Sequence, residues 1–157
     1  MRTLSLIKRK DYEVHAITTV YEGKMNANIA TWVMQSAMKG KAMSVALAKE
    51  DYTIELVRKS GIFNINFLSQ EQVNLVRLLG KRSGRQYDKF KRLPYALDLR
   101  NCPYLLDSIG YIACEVLGSI DSLDHQVFVA SVVEQKILHP EKVCLTYHYL
   151  RENGIVS

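Results

Sequence analysis

Four segments of the chain gather residue types suited to binding phosphates or polar ring systems. The first is Asn26-Ala27-Asn28-Ile29-Ala30-Thr31-Trp32-Val33-Met34-Gln35-Ser36, which sets amides and hydroxyls beside the single tryptophan. Buried amides and hydroxyls need partners. A bound polar ring edge or a polyhydroxyl chain supplies them, and so does pairing with neighbouring strands. The second is the turn Ala48-Lys49-Glu50-Asp51-Tyr52-Thr53. A helix N-terminus there presents N–H groups and a positive dipole end, Lys49 adds a charge and Thr53 a hydroxyl, which together suit a phosphate monoester. The same turn also reads as an ordinary capped helix with a surface lysine. The third is Lys81-Arg82-Ser83-Gly84-Arg85-Gln86-Tyr87-Asp88-Lys89-Phe90. Guanidinium forks and serine hydroxyls suit phosphate, and Gly84 lets backbone approach closely. Its alternative is a solvated basic loop. The fourth is Asp124-His125, ahead of an apolar run, where a histidine either meets a substrate or is a surface turn residue.

Other chemistries lack their residues. The three cysteines, Cys102, Cys114 and Cys144, form no CxxC pair, and His15, His125, His139 and His148 have no metal-ligand spacing, so no metal site is expected. Scattered thiols fit a reducing, cytoplasmic setting, with Cys114 a buried small hydrophobe. There is no GxSxG, GxGxxG or Walker sequence. No apolar run approaches the length of a membrane span, and Met1 to Lys10 lacks the apolar stretch of a signal peptide. The net charge is +5. A nucleic-acid-binding reading rests on that charge alone, and dispersed basic residues favour a small anion over a groove for DNA.

Strands must position these segments. Ala16 to Tyr21 is β-branched and closed by Glu22-Gly23-Lys24. Extended segments are predicted at Ile29 to Gln35 and at Ala42 to Ala48, the latter buried on both faces. Asp51 to Gly61 reads as a short helix, with Asp51 capping its N-terminus and Gly61 supplying the left-handed residue after its end. Ile62 to Leu68 follows as a strand. Ser69 and Gln72 form an S-x-x-Q capping box, Val73, Val76 and Leu79 recur at helical spacing, and Gly80 stops this second helix. Lys81 to Pro103 is irregular and longer than ordinary connections. Strands resume at Tyr111 to Gly118, Gln126 to Leu138 and Val143 to Leu150. The expected architecture is a single, mainly β domain over residues 1–157. Its form is a closed or split antiparallel barrel with short flanking helices.

In this order the segments resemble the flavin reductase-like, FMN-binding split-barrel family, of the flavin reductase, ferric reductase and flavoredoxin type. The residues that carry the resemblance are Asn26 to Trp32 with Gln35 and Ser36, then Lys49 and Thr53, then Ser60-Gly61-Ile62-Phe63-Asn64-Ile65-Asn66-Phe67-Leu68. They continue with Gly80, Arg82-Ser83-Gly84 and Asp88-Lys89-Phe90, then Pro103 to Asp107, Cys114-Glu115, Asp124-His125 and Phe128-Val129. The chain departs from the family at Lys39-Gly40-Lys41-Ala42, where a proline pair is usual, and at Leu123 and Ala130, where glycines are usual. Those departures bear on access for a nicotinamide more than on the flavin.

The resemblance implies a homodimer with one FMN per subunit near the interface. It implies Lys49, Thr53, Arg82, Ser83 and Lys89 around the phosphate. Asn28, Thr31, Trp32, Gln35, Ser36, Phe63 and Asn64 would line the ribityl and ring site, largely through main-chain groups, and His125 would face the open side of the ring. It further implies an NADH- or NADPH-dependent oxidoreductase passing electrons through FMN to a flavin, a ferric chelate or a protein such as a monooxygenase. The alternative is a non-enzymatic FMN electron carrier reduced by a partner redox protein.

Overall fold

A computed structural model describes residues 3–80 and 83–157. Seven strands form one antiparallel sheet: β1 (His15–Tyr21), β2 (Lys24–Ala30), β3 (Val33–Ala37), β4 (Ala42–Ala48), β5 (Ile62–Phe67), β8 (Gly110–Ser122) and β9 (His125–Ile137). A separate pair joins β6 (Tyr95–Leu97) to β7 (Pro103–Leu105). Among the described residues three α-helices flank them: α1 (Tyr52–Ser60), α2 (Leu75–Gly80) and α3 (Tyr147–Glu152).

The strand order, β2-β1-β5-β8-β9-β4-β3, dictates the shape. Its two edge strands, β2 and β3, are consecutive in the chain and separated only by Thr31 and Trp32. Strands lie about 4.8 Å apart, so the edges of a flat sheet of this size would be nearly 30 Å from each other. The short Thr31–Trp32 link spans roughly a third of that. The sheet therefore curls until its edges meet at a seam, as a split barrel.

Local residue choice explains the elements. Glu22 (φ 48°) and Gly23 (φ 77°) both occupy the left-handed region, giving the primed two-residue hairpin that closes Tyr21 onto Lys24. Gly61 (φ 69°) ends α1, with its N–H donating to the Val57 carbonyl at 2.8 Å, as expected. Residues alternate along β1: Ile17 enters one core with Val45, Ile54, Phe63, Ile65 and Phe128, while Val14 and Ala16 enter a second with Leu68, Leu79, Phe90, Leu105 and Leu150. The first core is sealed by α1, the second by α2, α3 and the connection around Phe90.

Several expectations are corrected. Ile29 to Gln35 is not one strand but the end of β2 and the start of β3, broken where the chain crosses the seam. Ala42 to Ala48 is a strand, though four of its seven residues are only partly buried. Val143 to Leu150 is a helix start rather than a strand: the Thr146 hydroxyl accepts the Tyr149 N–H at 3.1 Å, and the described residues keep two isolated bridges there, Ser69 to Cys144 and Glu13 to Thr146. The second helix splits into a 3-10 turn at Gln70–Gln72 and α2, with the Gln72 carboxamide accepting the Ser69 N–H at 3.1 Å. The long connection contains β6, a three-residue strand too short to leave a periodic signal.

Candidate functional site

Three elements meet around a polar cavity of ≈ 270 Å³ lined by Asn26, Asn28 and Ile29 of β2, Glu50, Asp51 and Tyr52 at the start of α1, Leu79 and Gly80 of α2, and Ser83, Gly84 and Lys89. On β2 the two asparagines lie two residues apart, hence on one face. Asn26 donates to the Thr53 hydroxyl at 2.9 Å and Asn28 donates to the Asp51 carboxylate at 2.8 Å, so both tie the strand to the first turn of α1. The expected cap is absent: Asp51 makes no side-chain hydrogen bond to that turn. Its carboxylate is turned to Asn28, which leaves the N–H groups of the first turn uncapped by a side chain. A helix start of this kind attracts anions.

Opposite stands Lys89, a lysine only 5 % exposed. Its ammonium donates to the Ala27 carbonyl at 2.7 Å and the Leu79 carbonyl at 2.9 Å. An ammonium has three N–H donors, so one is left for the cavity. Burial lowers the Lys89 pKa, and the nearby Asp51 carboxylate opposes that shift. Asn28 presents the complementary need: its Oδ1 is buried and has no hydrogen-bond partner among the described residues. An orphaned acceptor calls for an O–H or N–H donor, which a phosphate dianion lacks and a sugar hydroxyl has. A cation and a helix start for a phosphate, with an orphaned acceptor and a carboxylate for hydroxyls, fit the end of a phosphorylated polyol. Gly84 completes the wall, for a Cβ there would lie 2.0 Å from Asn26 Oδ1.

The sequence-predicted residues divide. Asn28, Ser83 and Lys89 line this cavity. Thr53 is fully buried behind it and orients Asn26. Lys49 turns away to an ion pair with Asp121 on β8. Arg82 and its neighbour Lys81 lie outside the described residues. Thr31 and Trp32 stand at the seam on a second hollow with Lys8, Lys10, Tyr12 and Tyr147. Trp32 is 50 % exposed, and its ring lies 4.8 Å from that of His125, whose Nδ1 is 2.9 Å from Asp124 Oδ1. Gln35 and Ser36 are on the exposed edge strand β3, with Gln35 donating to the Ala37 carbonyl.

Phe63 and Asn64 have buried side chains, which leaves the main-chain contacts expected of them untouched. Phe63 lies wholly in the first core. Asn64 is also buried, donating to the Pro103 carbonyl at 3.0 Å and to Asp98 at 3.2 Å while accepting from Arg100 at 3.0 Å. It belongs to a latch in which burial pushes the Asp98 carboxyl up, but hydrogen bonds from Arg100, the Cys102 N–H and Asn64 outweigh that and hold it low. Cavity-lining residues missed from the sequence include Asp51, read as a cap, and Tyr52; the signal was the Asn-x-Asn spacing, whose amides bond Asp51 and Thr53 on either side of Tyr52. Cys114 is buried as expected, with its thiol pushed up to about 12 by burial.

A sequence profile described as flavin reductase like domain matches residues 8–152. Among curated proteins, the chain is 26% identical over 146 residues to a high molecular weight rubredoxin of Moorella thermoacetica, covering 91% of this chain and 64% of that protein. It is 26% identical over 147 residues to a ferric-chelate reductase (NAD(P)H) of Archaeoglobus fulgidus, covering 91% and 86%. The chain thus spans less than two thirds of the rubredoxin, and 24% of a matching diflavin flavoprotein from Nostoc. Among solved structures, the FMN-binding protein from Thermus thermophilus superposes with a TM-score of 0.79 at 24% identity, over 87% of this chain and 82% of that one.

Proposed function

The chain belongs to the flavin reductase-like family, a family of flavin-binding oxidoreductases, and on that premise we propose that it binds FMN and carries electrons from NADH or NADPH through it to a flavin, a ferric chelate or a protein acceptor. The observation that carries the reading is the polar cavity where the uncapped start of α1 faces the buried Lys89. Lys89, the α1 N–H groups and Ser83 hold the phosphate. Asn28 and Asp51 accept from ribityl hydroxyls, and Thr53 fixes Asn26 so that the β2 face keeps its shape. Thr31, Trp32, Gln35 and Ser36 border the ring across the seam, and His125, held against Trp32, meets the second substrate. Arg82 is a further phosphate ligand on the family resemblance, while Lys49 is engaged by Asp121.

Bound FMN would supply the hydride acceptance and electron release, so no acid–base dyad is required of the chain. The protein's part is alignment and exclusion of water. The reading includes a homodimer in the cytoplasm, supported by exposed Leu117 and Ile120 on the part of β8 that runs past its pairing with β5. Among the described residues no helix is long and apolar enough to cross a membrane. A second reading, an FMN carrier reduced by a redox partner, draws support from the resemblance to the rubredoxin.

Anaerobic titration of the FMN-loaded protein, followed in the visible, tests both. Bleaching within seconds of adding NADH or NADPH supports the reductase and names its donor. Flavin that stays oxidised supports the carrier, and failure to bind FMN at all refutes both.

A further inference from the structure

The last two strands of the sheet order, β4 and β3, form a hairpin beyond the residues given to the flavin. Its turn is Met38-Lys39-Gly40-Lys41, with Gly40 (φ 74°) and Lys41 (φ 31°) in the left-handed region. Met34 on β3 is 62 % exposed and Met38 is 89 % exposed. Lys39 and Lys41 are exposed, and among the described residues neither has an acidic partner. The chain has no Asp or Glu between Glu22 and Glu50, so nothing on β2, β3 or β4 offsets them. Both charges stand where the family's proline pair is usual, and so belong to this chain rather than to its fold. β9 and β4 lie between this hairpin edge and the exposed Leu117 and Ile120 of β8.

The same face continues to Trp32. A hollow of ≈ 430 Å³ lies there, with Lys10, Tyr12, Trp32 and Met34 among its walls. On its other flank Lys8, Arg9 and Lys10 are exposed, and no acid precedes Asp11. The acids on this face are Asp11, Glu13 and Asp124. Asp11 accepts the Tyr12 N–H at 2.9 Å and the His148 N–H at 2.8 Å, and Asp124 is held by His125. The result is an apolar strip of Trp32, Met34 and Met38 with lysines at both ends. An aromatic and thioether centre inside a charged rim is the make-up of a protein interface. The positive rim selects an acidic partner. The place selects an electron carrier, because Trp32, Gln35 and Ser36 of the same strip border the ring in the proposed function.

We propose that the β3–β4 hairpin, together with Trp32 and the Lys8–Lys10 segment, is the docking surface for a small acidic electron-transfer protein. Met34 and Met38 make the central contact. Lys39 and Lys41 steer the partner and fix its orientation. The inference rests on the proposed flavin site.

The test is binding of two acidic carriers of unlike fold, a plant-type [2Fe–2S] ferredoxin and a rubredoxin, to the FMN-loaded protein. Surface plasmon resonance reads it at about 0.01 M and about 0.15 M salt, where screening differs most usefully. Both carriers should bind wild type at the lower salt and at least about tenfold more weakly at the higher. Lys39→Glu/Lys41→Glu should lose about tenfold or more at low salt. Met34→Ser/Met38→Ser should lose about tenfold at both salts, since it removes apolar contact and no charge. Lys59→Glu/Lys91→Glu, the same charge change on α1 and on the loop before β6, should stay within about twofold.

The docking surface is overturned if neither carrier binds wild type, or if both charge-reversed variants lose equally. Equally tight binding of a DNA duplex or of phosphatidylserine vesicles also overturns it, by making the face a general polyanion site. So does self-association of wild type that the hairpin variants abolish, which would give the face to a second copy. The visible spectrum of each sample reports bound FMN. Yellow protein that captures no carrier loses only the docking surface, whereas protein that holds no flavin loses the proposed function and the carrier with it.

Discussion

Replacing Lys89 by methionine separates the phosphate from the rest of the flavin. The side chain is nearly isosteric in its stem and stays apolar where Lys89 is buried. What disappears is an ammonium that donates to the Ala27 and Leu79 carbonyls and keeps one N–H for the cavity. A hydrogen bond to a charged group contributes about 1.5–3 kcal/mol, which is roughly ten- to hundredfold in Kd. FMN affinity should fall by that factor. Riboflavin lacks the phosphate, so its affinity should stay within about threefold, near 0.65 kcal/mol. Stability changes less than the lost hydrogen bonds suggest. Each stranded carbonyl costs about 1–3 kcal/mol, but the variant also sheds the cost of burying the ammonium, the cost that lowers the Lys89 pKa. Flavin fluorescence titration measures both affinities, and retained riboflavin binding certifies the fold. Equal losses for FMN and riboflavin, or no loss for FMN, would refute the placement of the phosphate at Lys89.

Four further outcomes follow. Gly84→Ala should weaken FMN binding while leaving the melting temperature within a few degrees, because its Cβ would strike Asn26, which is held by Thr53; paired affinity and melting measurements check it. Asn64→Ala should melt several degrees lower yet bind FMN normally, since Asn64 serves the Asp98–Arg100 latch; a lost flavin affinity would return it to the site. The buried His15 Nδ1 has no hydrogen-bond partner among the described residues, and burial brings its pKa down to about 4, against opposing pulls from Glu13 and the Ala30 backbone. Protons therefore bind the unfolded chain more readily between about pH 6.5 and 4, so stability should fall through that window by up to about 3 kcal/mol; urea unfolding of wild type and His15→Gln, read across it, should show a flatter slope in the variant. His125→Ala should raise the KM for the nicotinamide substrate more than the Kd for FMN, and the reverse ordering would place His125 on the flavin side.

Much of this was legible beforehand, for reasons that differ along the chain. The Glu22-Gly23 turn and the Gly61 terminus need positive φ, a local demand that residue type answers directly. Asn28, Ser83 and Lys89 line one cavity: Asn28 stood out as an amide in an extended, partly apolar segment, Ser83 as a hydroxyl in a basic loop, and Lys89 through the family resemblance. The break at Thr31–Trp32 was not readable, because it is a demand of barrel closure rather than of local preference. Asp51 misled for a similar reason. Its type fits a helix cap, but Asn28, brought alongside by the fold, competes for its carboxylate. Phe63 and Asn64 lie in a motif the family shares, yet alternation along β5 sends one into the core and the other into the latch.

The strand order also governs how the molecule is made. Until β8 and β9 exist, the earlier strands can form only two separate pieces, β2-β1-β5 and β3-β4. The long C-terminal hairpin stitches them, β8 pairing with β5 and β9 with β4, where Val45 waits for Phe128. Such distant pairings close slowly, and each half meanwhile shows open edges to other chains. Every wall of the polar cavity lies upstream of that hairpin, but α1 links two pieces of sheet that only the hairpin joins. On the proposed flavin site, cofactor capture during synthesis should wait for the hairpin to emerge, and a chain cut short before it should aggregate rather than bind.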